Sequence, residues 1–199
     1  MNPLKSLSEA YKRWRHSHGF GVHSPYAYTL IKSSISPGKY AYYGYWDIDK
    51  AILHPGATVY PSLRKDARLL LRLLVNLNSS ALILPKGSNP VFATAAKAAG
   101  VVASASLPKP PHPGKVASTS LPQRATNPLL LITDKTIPKP GEATLKINEG
   151  TSILAFDPSP RLRDEIKSAM TDGLILEGTH SLLAVPRPEM VLTYYSVRI

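Results

Sequence analysis

The sequence predicts an α/β fold: a doubly wound, mostly parallel sheet, preceded by helices and closed by an antiparallel hairpin. Three observations predict it. From residue 81 onward, short apolar strand-like runs alternate with amphipathic helical ones. A glycine turn at Gly87 separates the first of those strands from an alanine-rich helix that Gly100 closes. Two β-patterned runs near the end of the chain are separated only by Pro186-Arg187-Pro188-Glu189, which reads as a hairpin turn.

The elements follow in order. Residues 7–15 read as a helix, because Ser6 and Glu9 have capping-box spacing and Leu7, Tyr11 and Trp14 share one face. His16 to Gly21 break it. Ser24 followed by Pro25 starts a second helix, which Ala27, Leu30, Ile31 and Ile35 carry to a stop at Pro37-Gly38. The aromatic stretch from Tyr40 to Trp46 reads as irregular. A strong helix covers residues 62–76, with Leu63, Ala67, Leu70, Leu71, Leu74 and Leu77 as its buried stripe and Arg64, Lys65, Arg68 and Arg72 facing outward. Residues 1–60 therefore form a helical and aromatic extension, and residues 61–199 the α/β domain.

In that domain strands are expected near 81–84, 101–106, 116–120, 129–133, 152–156, 173–177, 181–185 and 190–198. Helices are expected over 90–99 and 160–170, where Asn89-Pro90 and Ser159-Pro160 each pair an N-cap with proline at the first helical position. Residues 107–114 hold four prolines and cannot form an ordinary helix. They read as an extended loop or as a polyproline-II ligand for a partner. Residues 135–149 are similarly loop-like. The last expectation is that strand 190–198 lies antiparallel to strand 181–185.

Composition limits the function. The 199 residues suffice for one real core, and a hydrophobic content of 43% belongs to a globular chain. No apolar run approaches the roughly 20 residues that span a bilayer, so no membrane association is expected. No secretory signal is evident, and a cytoplasmic location is the default expectation. The absence of cysteine excludes disulfides, cysteine nucleophiles and thiolate metal sites. The net charge is +11, and its excess lies early: up to Leu77 there are 11 Lys and Arg against 4 Asp and Glu. Such a balance suits phosphates, nucleic acid or another acidic partner, or else is a solvated basic surface.

Gly21-Val22-His23-Ser24-Pro25-Tyr26, with Tyr42-Tyr43 after the helix, resembles the His-Ser-Pro segment of Bacteroidetes proteins related to class I S-adenosylmethionine-dependent methyltransferases. Arg68-Leu69-Leu70-Leu71-Arg72-Leu73 resembles the helix before that family's first strand, and the resemblance runs to Ser196-Val197-Arg198-Ile199. It implies a Rossmann-like methyltransferase fold, S-adenosylmethionine as cofactor, and a small-molecule or macromolecular methyl acceptor. The chain also departs from the family. Pro85 stands where the family's loop carries an acid, Lys86 places a positive charge beside the expected sulfonium, and a later glycine is missing. Between Asp66 and Asp134 there is no Asp or Glu, so the carboxylate that grips ribose hydroxyls in such folds is absent. These departures predict weakened cofactor binding.

The candidate site residues follow from this. Gly87, Ser88 and Asn89 are the expected cofactor loop, and Asp157 the expected cofactor contact at the end of its strand. His23 and Asp134 are the catalytic candidates: His23 as a base or as a group orienting a substrate acid, Asp134 as an acid at a strand's carboxyl end, where α/β folds bind ligands. Each has a structural alternative. His23 would brace the Ser24-Pro25 turn, and Asp134 and Asp157 would serve turn chemistry. No metal site is expected. The functions in play are a methyltransferase, active or impaired, and a non-catalytic descendant binding an anionic ligand, nucleic acid or a protein partner.

Overall fold

The computed structural model describes residues 3–37, 42–54, 57–105, 127–132 and 150–198, with side chains from Leu7 onward. The chain forms α1 (Pro3–Ser17), α2 (Pro25–Leu30) with a π-helical continuation (Ile31–Ile35), α3 (Gly44–Ile52) and α4 (Leu63–Asn76). The sheet region follows as β1 (Ala81–Ile83), α5 (Pro90–Ala98), β2 (Val102–Ser104), β3 (Leu129–Ile132), β4 (Ser152–Phe156), α6 (Pro160–Ala169), β5 (Asp172–Glu177), β6 (Ser181–Val191) and β7 (Thr193–Ser196).

The seven strands make one sheet in the order β2-β1-β3-β4-β6-β5-β7. β2, β1, β3 and β4 are mutually parallel, β6 is antiparallel to both β4 and β5, and β7 is parallel to β5. Only β6 therefore runs against the other six. The carboxyl ends of the parallel strands and the amino end of β6 meet along one edge, which is where a crevice forms.

Alternation along the strands separates two apolar layers. Leu154, Leu174, Leu176, Leu183 and Val185 face a large core shared with α2 to α5. Their neighbours Ile153, Ile175, Leu182 and Ala184 face a smaller one under Leu162 and Ile166 of α6. Helices thus cover both faces, as a period of two dictates for a strand buried on both sides. Ala27, Leu30, Ile31 and Ile48, all from before residue 60, belong to the same large core as α4, α5 and the sheet.

The helix starts read from serine or asparagine before proline are present. Ser24 Oγ accepts from the Ala27 N–H at 3.3 Å, Asn89 Oδ1 from Val91 at 3.1 Å and Ser159 Oγ from Leu162 at 3.2 Å. The expected strands at 81–84, 129–133, 152–156 and 173–177 form with shifts of one residue at most. The strand expected at 116–120, the proline-rich 107–114 and the loop 135–149 lie outside the described residues.

Four expectations are corrected. The first helix starts at Pro3, so Ser6 lies within it rather than capping it, and the face bearing Leu7, Tyr11 and Trp14 is exposed. The irregular reading fails from Gly44 onward, because α3 begins there. A Cβ on Gly44 would lie 2.5 Å from Leu71 Cδ1 and 2.7 Å from Ala98 Cβ, so glycine permits the approach of α3 to α4 and α5. The cations of α4 do not all face solvent: Arg68 reaches Asp49 of α3 at 2.8 Å, and Arg72 donates to the Ser34 carbonyl at 2.5 Å and to Tyr45 Oη at 2.8 Å.

The fourth correction concerns the closing hairpin. The antiparallel hairpin is β5–β6, and β6 continues through residues 186–189. Gly173 pairs with Pro186 while the adjacent Asp172 pairs with Val191, so residues 187–190 swing past the start of β5. Proline donates no ladder N–H, and Pro188 falls in this swing, where none is required. The chain then returns as β7 on the other side of β5, parallel to it, with Leu174 opposite Thr193 and Glu177 opposite Ser196.

Candidate functional site

Gly87 adopts φ +80°, a left-handed conformation that glycine reaches without strain, and turns the chain from β1 into α5. The groove beside it is shallow, about 280 Å³, and is lined by Leu84, Pro85, Gly87, Ser88, Asn89 and Ala103 among others. Two of its polar side chains, Ser88 and Asn89, serve the turn. Ser88 Oγ donates to the Pro85 carbonyl at 2.7 Å. Asn89 caps α5 with its oxygen and donates its amide to the Thr58 carbonyl at 2.6 Å. Lys86 is exposed and does not line the groove, and no carboxylate does among the described residues.

A larger cleft, about 960 Å³, opens at the carboxyl ends of the strands and is lined by Tyr60, Pro61, Ser62, Lys65, Asp66, Asp157, His180, Ser181 and Arg198. The fold delivers these residues from four directions. Tyr60 to Ser62 precede α4, and Lys65 and Asp66 lie in its first turn. Asp157 follows β4, His180 and Ser181 mark the entry to β6, and Arg198 follows β7.

Asp66 forms the floor and is only 8% exposed. Ser62 Oγ donates to its Oδ2 at 2.8 Å, and the Tyr60 hydroxyl hydrogen-bonds to it as well. Burial pushes the Asp66 pKa above its ordinary value, against the Ser62 hydrogen bond, and the negative Asp157 adds to the rise. The Tyr60 hydroxyl is also raised, first by its own burial and then by Asp66. The Ser62 and Tyr60 hydrogen bonds and the nearby His180 oppose the rise at Asp66.

Asp157 and His180 form the opposite wall. His180 Nδ1 lies 2.9 Å from Asp157 Oδ1, and the Asp157 N–H donates to the His180 carbonyl at 2.6 Å. Asp157 has φ +45°, one of two non-glycine residues at positive φ among those described. With Nδ1–H directed at Asp157, Nε2 carries the lone pair and is the basic atom of the pair. Beside them Ser181 is 2% exposed, and its Oγ has no hydrogen-bond partner among the described residues. One wall thus offers an imidazole nitrogen, the floor a buried carboxyl, and the same cleft holds a buried hydroxyl with no partner among the described residues.

The residues singled out from sequence are therefore divided. Asp157 lines the cleft. Gly87, Ser88 and Asn89 sit together at the glycine turn, beside a different groove. His23 is exposed, contributes its backbone N–H to Tyr195 Oη at 3.3 Å, and is not among the residues lining either site. Asp134 lies outside the described residues. Sequence reading missed Tyr60, Asp66, His180 and Ser181. Asp66 had a signal: it sits between Leu63 and Ala67 on the apolar stripe of α4, where a carboxylate is out of place. His180 and Ser181 had none, because a turn histidine and a strand serine are ordinary until the sheet brings Asp157 beside them.

Comparison with protein-family models, curated proteins and solved structures finds no match to this chain. No helix among the described residues is long and apolar enough to cross a membrane. No group of three or more His, Asp or Glu that could hold a metal occurs among them.

Proposed function

We propose that this chain is a protein of the S-adenosylmethionine-dependent methyltransferase type whose cofactor binding is impaired, and that its working site is the Asp66–Asp157–His180 cleft. The sheet supports the first half. A parallel series with one reversed strand, β6, set beside the last crossover strands is the mixed sheet that the family resemblance leads one to expect. The glycine turn after β1 supports it too.

One observation carries the second half. The groove at the glycine turn does not suit S-adenosylmethionine, because Ser88 and Asn89 are engaged by the turn and Thr58, and no carboxylate for the ribose lines it among the described residues. A lost hydrogen bond to a charged group costs about 1.5–3 kcal/mol, so losing two weakens binding by several orders of magnitude. The large cleft, by contrast, has an imidazole, a buried carboxyl and a hydroxyl unpartnered among the described residues, at the edge where α/β sheets bind ligands. A second reading, a non-catalytic protein binding an anionic ligand on the same fold, is favoured by Lys65 and Arg198 at this cleft.

Titration calorimetry with S-adenosylmethionine and S-adenosylhomocysteine tests the proposal. Weak or undetectable binding of both is expected, and tight stoichiometric binding of either overturns the impaired-cofactor reading. Inorganic phosphate is titrated in parallel. Binding that Lys65→Ala or Arg198→Ala abolishes would favour the second reading.

A further inference from the structure

The exposed face of α1 is distinct from both sites. Leu7 is 68% exposed, Tyr11 59%, Trp14 43% and, just past the helix, Phe20 57%. The rings are ordered rather than scattered. Tyr11 and Trp14 stack with centroids 6.1 Å apart and planes 18° apart, and Trp14 and Phe20 stack at 6.4 Å and 23°. The turn at His18 and Gly19, closed by Gly19 N–H to the His16 carbonyl and Phe20 N–H to the Arg15 carbonyl, returns Phe20 to Trp14.

The other side of α1 is fixed. His16 Nδ1 lies 3.0 Å from the Ser196 carbonyl, and Ser17 Oγ accepts from the Arg198 N–H at 2.5 Å. The aromatic ladder is therefore held outward on an anchored helix, and no described residue outside the first 20 stacks on it.

Charge selects the occupant. α1 carries Lys5, Lys12, Arg13 and Arg15 against the single carboxylate Glu9. The Arg15 guanidinium lies 6.0 Å above the Tyr11 ring, so positive charge stands level with the rings. An interfacial membrane helix keeps its cations on the face opposite its Trp, Phe and Leu. Here a cation adjoins the rings, because Arg15 shares the face of Tyr11 instead of lying opposite it. Ring faces beside cations match unpaired bases linked by phosphates, because bases stack on aromatic faces while lysine and arginine neutralise the backbone.

We propose that the Tyr11–Trp14–Phe20 face of α1 is a binding platform for single-stranded nucleic acid. The bases stack on the exposed rings and the phosphates meet Lys12 and Arg15. A duplex keeps its bases in their own stack and offers only the phosphates.

The experiment is fluorescence anisotropy of the whole chain with fluorescein-labelled 12-nucleotide oligouridylate, oligothymidylate and a 12-base-pair duplex, each at two salt concentrations. In a Trp46→Phe background the emission of Trp14 reports contact directly. The single strands are expected to bind more tightly than the duplex and to quench Trp14. Trp14→Ala and Phe20→Ala are each expected to weaken binding about tenfold or more, the effect of one lost base stack. Lys12→Glu with Arg15→Glu is expected to reduce the salt slope by about 1.4, two phosphate contacts on a single strand. Circular dichroism of each variant should match wild type, since the substituted side chains are exposed. Unchanged affinity in both aromatic variants, or preference for the duplex, overturns the platform in favour of a plain basic surface. Trp14 emission that shifts only with phosphatidylglycerol vesicles, or only with protein concentration, overturns it in favour of a lipid surface or of self-association.

Discussion

His180 and Asp157 are joined twice, side chain to side chain at 2.9 Å and Asp157 N–H to His180 carbonyl at 2.6 Å. The double link crosses from the end of β4 to the start of β6, the two strands that pair antiparallel through Phe156 and Ser181. It holds Asp157 at φ +45°, a conformation that costs a residue with a Cβ roughly 1 kcal/mol. The proposed site predicts that the cleft's ligand needs this aspartate more than the fold does.

Asp157→Gly separates those two roles. Glycine removes the left-handed strain, while the exposed side-chain hydrogen bond to His180 that it deletes is worth about 0.5–1.5 kcal/mol. Urea denaturation is expected to place the variant within about 1 kcal/mol of wild type. A loss of 3 kcal/mol or more would make Asp157 a structural residue and remove it from the proposed site.

Ser181→Ala is expected to stabilise the protein by about 1–2 kcal/mol, because it deletes a buried hydroxyl that has no partner among the described residues. Alanine is smaller by one oxygen and fills the same position in β6. The same variant is expected to lose affinity for any ligand of the cleft. Destabilisation on thermal melting would show that the hydroxyl already has a partner.

Asp66 gives the cleft a pH signature. Burial raises its pKa in the folded state, so between the unfolded value near 3.9 and the folded one the native chain holds a proton that the unfolded chain has lost. Its contribution is fully present below the unfolded value and is lost as pH rises through the folded one. Asp66→Asn, which cannot ionise, is expected to flatten that fall. Urea midpoints measured from pH 4 to 7 that decline in parallel for both proteins would contradict the assignment.

Gly44→Ala is expected to cost about 1–3 kcal/mol by overpacking, since the new methyl meets Leu71 and Ala98 where α3 crosses α4 and α5. Ala98→Gly removes the less yielding of those contacts. In that background the cost of Gly44→Ala should shrink, and additive effects in the double-mutant cycle would place the strain elsewhere.

The sequence by itself determined the local elements. Ser24-Pro25, Asn89-Pro90 and Ser159-Pro160 start helices because a capping oxygen and a fixed φ act within four residues. The strands at 129–132 and 152–156 were legible as apolar runs, and Asp157 as an acid at a strand's carboxyl end. Only the tertiary structure decided the pairings. Whether β7 lies beside β6 or β5 depends on where residues 187–190 pass, which no pattern in residues 181–198 encodes. It also decided that Leu7, Tyr11 and Trp14 face solvent, since a helical stripe has the same period whether or not something covers it. The cleft joins Asp66, Asp157 and Ser181 across more than a hundred residues of chain. Asp66 and Asp157 each had a signal in the sequence and Ser181 had none, but their shared chemistry arises from burial and proximity, which exist only once the sheet has formed.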